Sequence, residues 1–264
     1  MGLVDFDKIV AIAREAGDLA MRQWQAGKSA EKTWEKSPGQ IVSEADIAVD
    51  RFLRERLAAQ LPEAGWLSEE TAEDQSLSGR DMAWVVDPID GTKDFVKGET
   101  GWAVSIALVQ NGAPIFGILE APAMEETWIA KAGSHTEVNG RGLKASTRDR
   151  YDGSRIPLGD VDLPKEIKLA PVTKPNSIAL RLAMVADDRA DLVVSTRWGS
   201  EWDIAAAHVI AEEAGAMVTD AHGKKLRYNG THGQAFGVLC TSEGIHDAAV
   251  ARVAKFLSEN EGQS

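Results

Sequence analysis

Two apolar runs joined by Asn-Gly constrain this chain more than any other feature. One reads WAVSIALVQ (102–110), the other APIFGILEA (113–121), and Asn111-Gly112 lies between them. Asn-Gly accepts the positive φ angles of a two-residue turn, so the pair predicts a long antiparallel hairpin. Further strands are predicted at 66–68 and 83–87, and at ETWIAK, DLVVS, AMVTD and FGVLC; VNGRGLKAS adds a turn and an edge. Helices are predicted over 5–26, capped by Asp5 and stopped by Gly27, and over 43–61, capped by Ser43 and ended by Pro62. Others are expected near 176–187, 202–215 and 244–258, with a short one from the DGT turn through Phe95. Helices and hairpins in this order point to a layered, mixed α/β fold and not to a simple doubly wound sheet. Residues 147–175, rich in charge, Gly and Pro, read as an irregular connection. The chain is expected to be one compact unit in two parts, 1–146 and 147–264.

Composition narrows the function. With 29 basic and 41 acidic residues the net charge is −12, and no basic stripe suggests a nucleic-acid polymer. An anionic substrate would need local cations, from side chains or metals. The single cysteine, Cys240, excludes an intramolecular disulfide, no signal peptide or membrane span is visible, and a cytoplasmic protein is expected.

Several nucleophile and phosphate motifs fail. Gly27-Lys28-Ser29 has Arg22 where a P-loop needs its first glycine. Asp160 and Asp162 do not follow an apolar strand. Cys240 has His246 where a cysteine phosphatase needs arginine, and the five histidines lack zinc-like spacing.

Four acidic segments remain: Ser43-Glu44-Ala45-Asp46, Ser68-Glu69-Glu70, Asp87-Pro88-Ile89-Asp90-Gly91-Thr92 and Glu201-Trp202-Asp203. Taken singly, each has an ordinary explanation as a turn, a helix cap or a solvated loop. Together they offer hard oxygen ligands at strand ends and helix starts, suited to Mg²⁺. Within the DPIDGT turn, Gly91 permits close backbone approach. The N–H groups of Gly91, Thr92 and Lys93 can hold a phosphate, and the Thr92 hydroxyl can position water.

WVVDPIDGTKDF and EWDIAAAHVIAEEAGAMVTD resemble the two signatures of the inositol monophosphatase superfamily of Mg²⁺-dependent, lithium-sensitive phosphatases. WLSEE and IVSEADIAVD resemble its other acidic motifs, in the same order. The resemblance implies a layered α-β-α-β-α sandwich, often homodimeric. It implies two Mg²⁺ ions, with a weaker third site beside Glu69. Glu69, Asp87 and the Ile89 carbonyl correspond to ligands of the first ion. Asp87, Asp90 and Asp203 correspond to those of the second. Asp46 and Thr92 correspond to the pair that orients the attacking water, which makes Asp46, Thr92 and Glu69 the candidate catalytic residues.

Lys93, Asp94 and Lys97 after the DGT turn, with SEWDIAAAH and LRYN, resemble the 3'(2'),5'-bisphosphate nucleotidase branch. That resemblance implies cleavage of the 3'-phosphate of 3'-phosphoadenosine 5'-phosphate. The substrate would be bound by Asp90, Gly91, Thr92, Lys93, Arg181 and Asp203. Departures are Ser177, Ile178 and Ala179 in place of Gly-Ser-Ser, and Ala207, Ala216 and Ser68 in place of glycines. Inositol 1-phosphate and histidinol phosphate stay open as substrates, and so does a non-catalytic metal- or phosphate-binding regulator.

Overall fold

Helix formation starts from local chemistry. Asp5 accepts a hydrogen bond from the Lys8 N–H, and Ile9, Ile12, Ala13, Ala16 and Ala20 form one buried stripe on α1 (Phe6–Met21). A hairpin follows, β1 (Thr33–Ser37) and β2 (Gln40–Ser43), then α2 (Glu44–Gln60), β3 (Gly65–Ser68), β4 (Met82–Asp90) and α3 (Thr92–Lys97). Next come β5 (Ala103–Gln110), β6 (Ala113–Ala121), β7 (Glu126–Lys131), β8 (His135–Val138) and β9 (Arg141–Gly142). The remainder comprises β10 (Ser154–Pro157), β11 (Leu169–Val172), α4 (Ile178–Ala186), β12 (Leu192–Ser200), α5 (Ala205–Glu213), β13 (Ala216–Thr219), β14 (Gln234–Ser242) and α6 (His246–Asn260). This is a computed structural model, and it describes residues 4–30, 32–71, 80–159, 168–228 and 233–260. Asp160, Asp162 and the end of the tail lie outside the described residues.

Strands β3 to β9 form a seven-stranded sheet in sequence order, antiparallel except for the parallel pair β3–β4. The expected hairpin is its centre. Gln110 pairs with Ala113 across Asn111 (φ 52°) and Gly112 (φ 79°). The pleat separates two cores. Trp84, Val86, Ile106, Leu108 and Ile118 face α1 and α2. Val85, Ala107, Leu119 and Trp128 face α4 and α5. A three-stranded sheet, β12-β14-β13, presents Val193, Val218, Val238 and Cys240 to the same helices, and α6 packs on its outer face through Ala249 and Val253. The layers are therefore α-β-α-β-α. A one-residue slip in β4 or β5 would exchange the two cores, so burial at about 1.5–3 kcal/mol per large apolar side chain locks the register.

Helix α5 lies very close to the large sheet. A Cβ on Gly117 of β6 would sit 2.5 Å from the Ala206 carbonyl oxygen and 2.6 Å from Val209 Cγ1. Glycine there, with Ala206 above it, sets the height of the helix.

Three expectations need correction. Helix α1 stops at Met21 and not near residue 26, because the chain turns back to dock on α3. The Gly27 N–H donates to the Gly98 carbonyl, and a Cβ on Gly98 would meet the Gln25 carbonyl oxygen at 2.3 Å. The stretch 147–175 is not wholly irregular, since β10 and β11 pair in parallel. A buried charge ties it to the body: Asp191 accepts from the Arg155 backbone N–H (2.8 Å), Nε (3.0 Å) and Nη2 (2.7 Å). Finally, the helix expected near 202–215 runs from Ala205 to Glu213, so Asp203 sits in the turn before it.

Candidate active site

The four acidic segments line one end of the sheets. Asp87 and Asp90 come from the end of β4, where Pro88 interrupts pairing and the register with β5 shifts. Glu69 follows β3, and Asp203 precedes α5. Glu69, Asp87, Ile89, Asp90, Gly91, Thr92, Lys93, Arg181 and Asp203 all border one cleft of about 660 Å³. Asp46, in the first turn of α2, is buried behind Thr92 and is not itself part of the cleft lining. Its Oδ2 accepts from the Ser43 N–H (2.8 Å) and the Ser43 hydroxyl (2.6 Å), which closes a capping box. Its Oδ1 faces the Thr92 hydroxyl at 3.3 Å. Thr92 also lies 3.0 Å from the Ile89 carbonyl, so its one proton is shared between two acceptors.

Asp87 and Asp90 are buried, and Glu69 and Asp203 are half-buried. Burial pushes Glu69 up to about 7, opposed by the Lys36 charge and reinforced by Glu70, Asp46 and Asp90. Asp87 is raised well above the carboxylate range by burial and by Glu69, Asp90 and Asp203. Asp203 is raised well above it by burial, Asp90 and Glu69, and its neighbour is the Ser200 N–H at 3.4 Å. Asp90 reaches only about 6, since burial is partly offset by Ser177 Oγ (2.5 Å) and the N–H groups of Ala179 (2.8 Å) and Ile178 (3.3 Å). These three donors leave part of its acceptor capacity free.

Such a donor set fits hard divalent cations. Buried like charges are stable together only when paired or metal-bound. As the side chains stand, no three acidic, imidazole or thiol groups among the described residues already have coordination spacing.

Gly91 has a local role beyond the one expected. At φ 96°, a Cβ there would meet the Gly101 carbonyl oxygen (2.7 Å) and the Ser177 N–H (2.9 Å), so glycine allows close backbone packing of the loop. Arg181 does reach the cleft, but its guanidinium also donates to the Pro175 and Asn176 carbonyls, at 2.8 and 2.6 Å.

Other contributors were not legible in the sequence. Lys36, on the β1–β2 hairpin, pairs with Glu70. The Ser68 hydroxyl donates to Asp50 at 2.5 Å. Lys174 and Arg197 border the cleft close enough to Arg181 that their mutual repulsion, Arg181 first, lowers Lys174. Trp198, next to Arg197 in the chain, borders the same cleft.

The chain matches the pattern of the Inositol monophosphatase family over residues 4–259. It belongs to that family. Family members are generally Mg²⁺-dependent phosphatases of small phosphate esters. A fructose-1,6-bisphosphatase/inositol-1-monophosphatase from Thermotoga maritima is 30% identical over 272 residues, covering 100% of both chains. A 3'(2'),5'-bisphosphate nucleotidase, CysQ, from Escherichia coli is 32% identical over 233 residues, covering 84% of this chain and 93% of its own. A solved IMPase from Thermotoga maritima superposes with a TM-score of 0.80 at 29% identity, covering 96% of this chain and 98% of that one. For this family member the fold and the phosphatase class agree with the sequence reading. No helix is long and apolar enough to cross a membrane among the described residues.

Proposed function

We propose that this phosphatase hydrolyses the 3'-phosphate of 3'-phosphoadenosine 5'-phosphate, giving AMP and phosphate. The supporting observation is that the cleft has two chemically opposite walls. One carries Glu69, Asp87, Asp90 and Asp203; the other carries Lys174, Arg181 and Arg197. A monophosphate needs only the first wall. A bisphosphate has a second, unreactive phosphate for the second wall, and that binding energy can align the scissile group.

Glu69, Asp87, Asp90, Asp203 and the Ile89 carbonyl would hold two Mg²⁺ ions. Divalent cations there would supply Lewis acidity and neutralise the carboxylates so that a phosphate can approach. Thr92 and Asp46 orient the attacking water. The Thr92 hydroxyl can donate toward Asp46 while its lone pairs accept from the water, and the Asp46 carboxylate, held by Ser43, keeps that arrangement in place. Lys93, exposed at the cleft edge, adds positive charge beside the scissile phosphate. No covalent enzyme intermediate is needed.

The test is phosphate release across a panel containing 3'-phosphoadenosine 5'-phosphate, inositol 1-phosphate, fructose 1,6-bisphosphate and histidinol phosphate, with Mg²⁺. The highest kcat/KM is expected on the nucleotide. A higher value on inositol 1-phosphate would overturn the substrate assignment, and absence of turnover on all four would overturn the enzymatic reading.

A further inference from the structure

Trp198 is the most exposed large apolar residue among the described ones, at 66%. A single exposed apolar residue is ordinary, and what sets this one apart is its position in the cleft and the aromatic support behind it. Its setting is built. Strand β12 pairs regularly with β14 up to Ser195↔Val238, then resumes at Trp198↔Phe236, with one extra residue on the β12 side. Such a bulge re-aims side chains. Gly237 makes it possible. Its φ is +69°, and a Cβ there would lie 2.2 Å from the Ser195 carbonyl oxygen. The segment through this bulge, Arg197 and Trp198 included, borders the cleft.

The indole is also held from behind. Phe236 meets it edge-on, with centroids 5.5 Å apart, and His222 stacks on Phe236 at 5.0 Å. A supported, solvent-facing ring in the same cleft as Lys174, Arg181 and Arg197 matches a ligand that carries an anionic group and a flat heteroaromatic base. A polyol phosphate has no such face.

We propose that Trp198 is the specificity-determining residue of the cleft, stacking the purine base of a nucleotide whose phosphate lies against Lys174, Arg181 and Arg197. This rests on the proposed nucleotidase reading and deepens it. Base–aromatic stacking is sequence-tolerant and typically changes affinity by roughly ten-fold or more on removal of the ring.

The test is equilibrium binding, by calorimetry and by quenching of tryptophan fluorescence, of adenosine 5'-monophosphate and of ribose 5-phosphate. The wild type, Trp198→Leu and Trp198→Phe are compared at the same Ca²⁺ concentration. Trp198→Leu is expected to bind adenosine 5'-monophosphate roughly ten-fold more weakly and to lose the quench, with ribose 5-phosphate unaffected; Trp198→Phe should keep most of the affinity. Unchanged nucleotide affinity, equal losses on both ligands, or a changed oligomeric state in place of a changed affinity would each overturn the assignment. Hydrolysis is measured separately. Trp198-dependent binding without 3'-phosphate release removes the nucleotidase reading and leaves the platform standing. Release that does not depend on Trp198 does the reverse.

Discussion

The acidic and basic walls of the cleft are built in opposite ways. The acidic wall comes largely from β4 and its neighbours, with Asp87 and Asp90 buried and Glu69 and Asp203 half-buried, and its charges raise one another. The basic wall comes from a loop, from α4 and from the bulged strand β12, and two of its three cations are exposed. On the proposed function, the difference separates chemistry from selectivity. Groups that hold metal must be close and dry, where Coulombic energies are large. Groups that choose among substrates can stand at the rim, where each contributes modestly and can be exchanged without loss of the reaction.

The sharpest way to break this comparison is at Asp87. Asp87→Asn is expected to lower kcat with Mg²⁺ by about 10³-fold or more, since several kcal/mol of charge stabilisation depends on the ions it would share. The same change should raise the melting temperature of the metal-free protein, because burial among other carboxylates penalises the Asp87 carboxyl in the fold and an amide carries no such penalty. Near-normal turnover in the variant, or turnover of the wild type in excess chelator, would dissolve the acidic wall's role. Thr92→Ala comes next, with a loss of about 10²-fold or more in kcat and little change in KM. Rate and melting temperature measured together separate this from unfolding, and a full rate would remove Thr92 from the mechanism.

On the basic wall the effects should be smaller and confined to one substrate. Lys174→Met and Arg197→Ala are each expected to raise KM for 3'-phosphoadenosine 5'-phosphate about ten-fold and to leave inositol 1-phosphate kinetics alone. Equal losses on both substrates would show that these cations do not read a second phosphate. Arg181 is a poorer probe, because its guanidinium also braces the Pro175 and Asn176 carbonyls.

Much of the acidic wall was legible because its residues are contiguous in motifs. DPIDGT places two carboxylates, a glycine and a hydroxyl in six residues, and Ser43 to Asp46 spells its own capping box. The long hairpin was legible for the same reason, since Asn111-Gly112 and its flanks carry the whole signal locally. Lys174, Arg197 and Trp198 were not. No local pattern distinguishes them from surface residues, and the bulge in β12 that lies beside two of them depends on the close approach of Gly237 to Ser195 in another strand. The β10–β11 pair has no such signal, because two four-residue strands show too little alternation to stand out from a segment rich in charge, Gly and Pro.

The smallest effect compares the walls by pH. Burial and like charges raise Glu69 to about 7 and Asp90 to about 6, against ordinary values of 4.5 and 3.8. In the metal-free fold these carboxyls therefore hold protons that the unfolded chain releases. Their contribution to stability is complete below the ordinary values and is lost as pH rises through 6 to 7. Thermal scans of the chelated protein should show a melting temperature a few degrees higher at pH 5 than at pH 8, and excess Mg²⁺ should flatten the trend. A melting temperature that falls between pH 8 and pH 5 without metal would contradict the buried-charge account.

Gly117 shows how far the site's mechanical reference lies from its chemistry. Helix α5 is gauged against β6 by hydrogen atoms alone, with the carbonyl of Ala206 where a methyl group would otherwise be. Asp203 stands just ahead of that helix, so its carboxylate inherits whatever clearance Gly117 leaves. A search for inactivating substitutions would then recover a position with no polar atom in its side chain and no contact with substrate. Its variants would fail as a mis-shimmed instrument fails, with every working part intact and one of them at the wrong height.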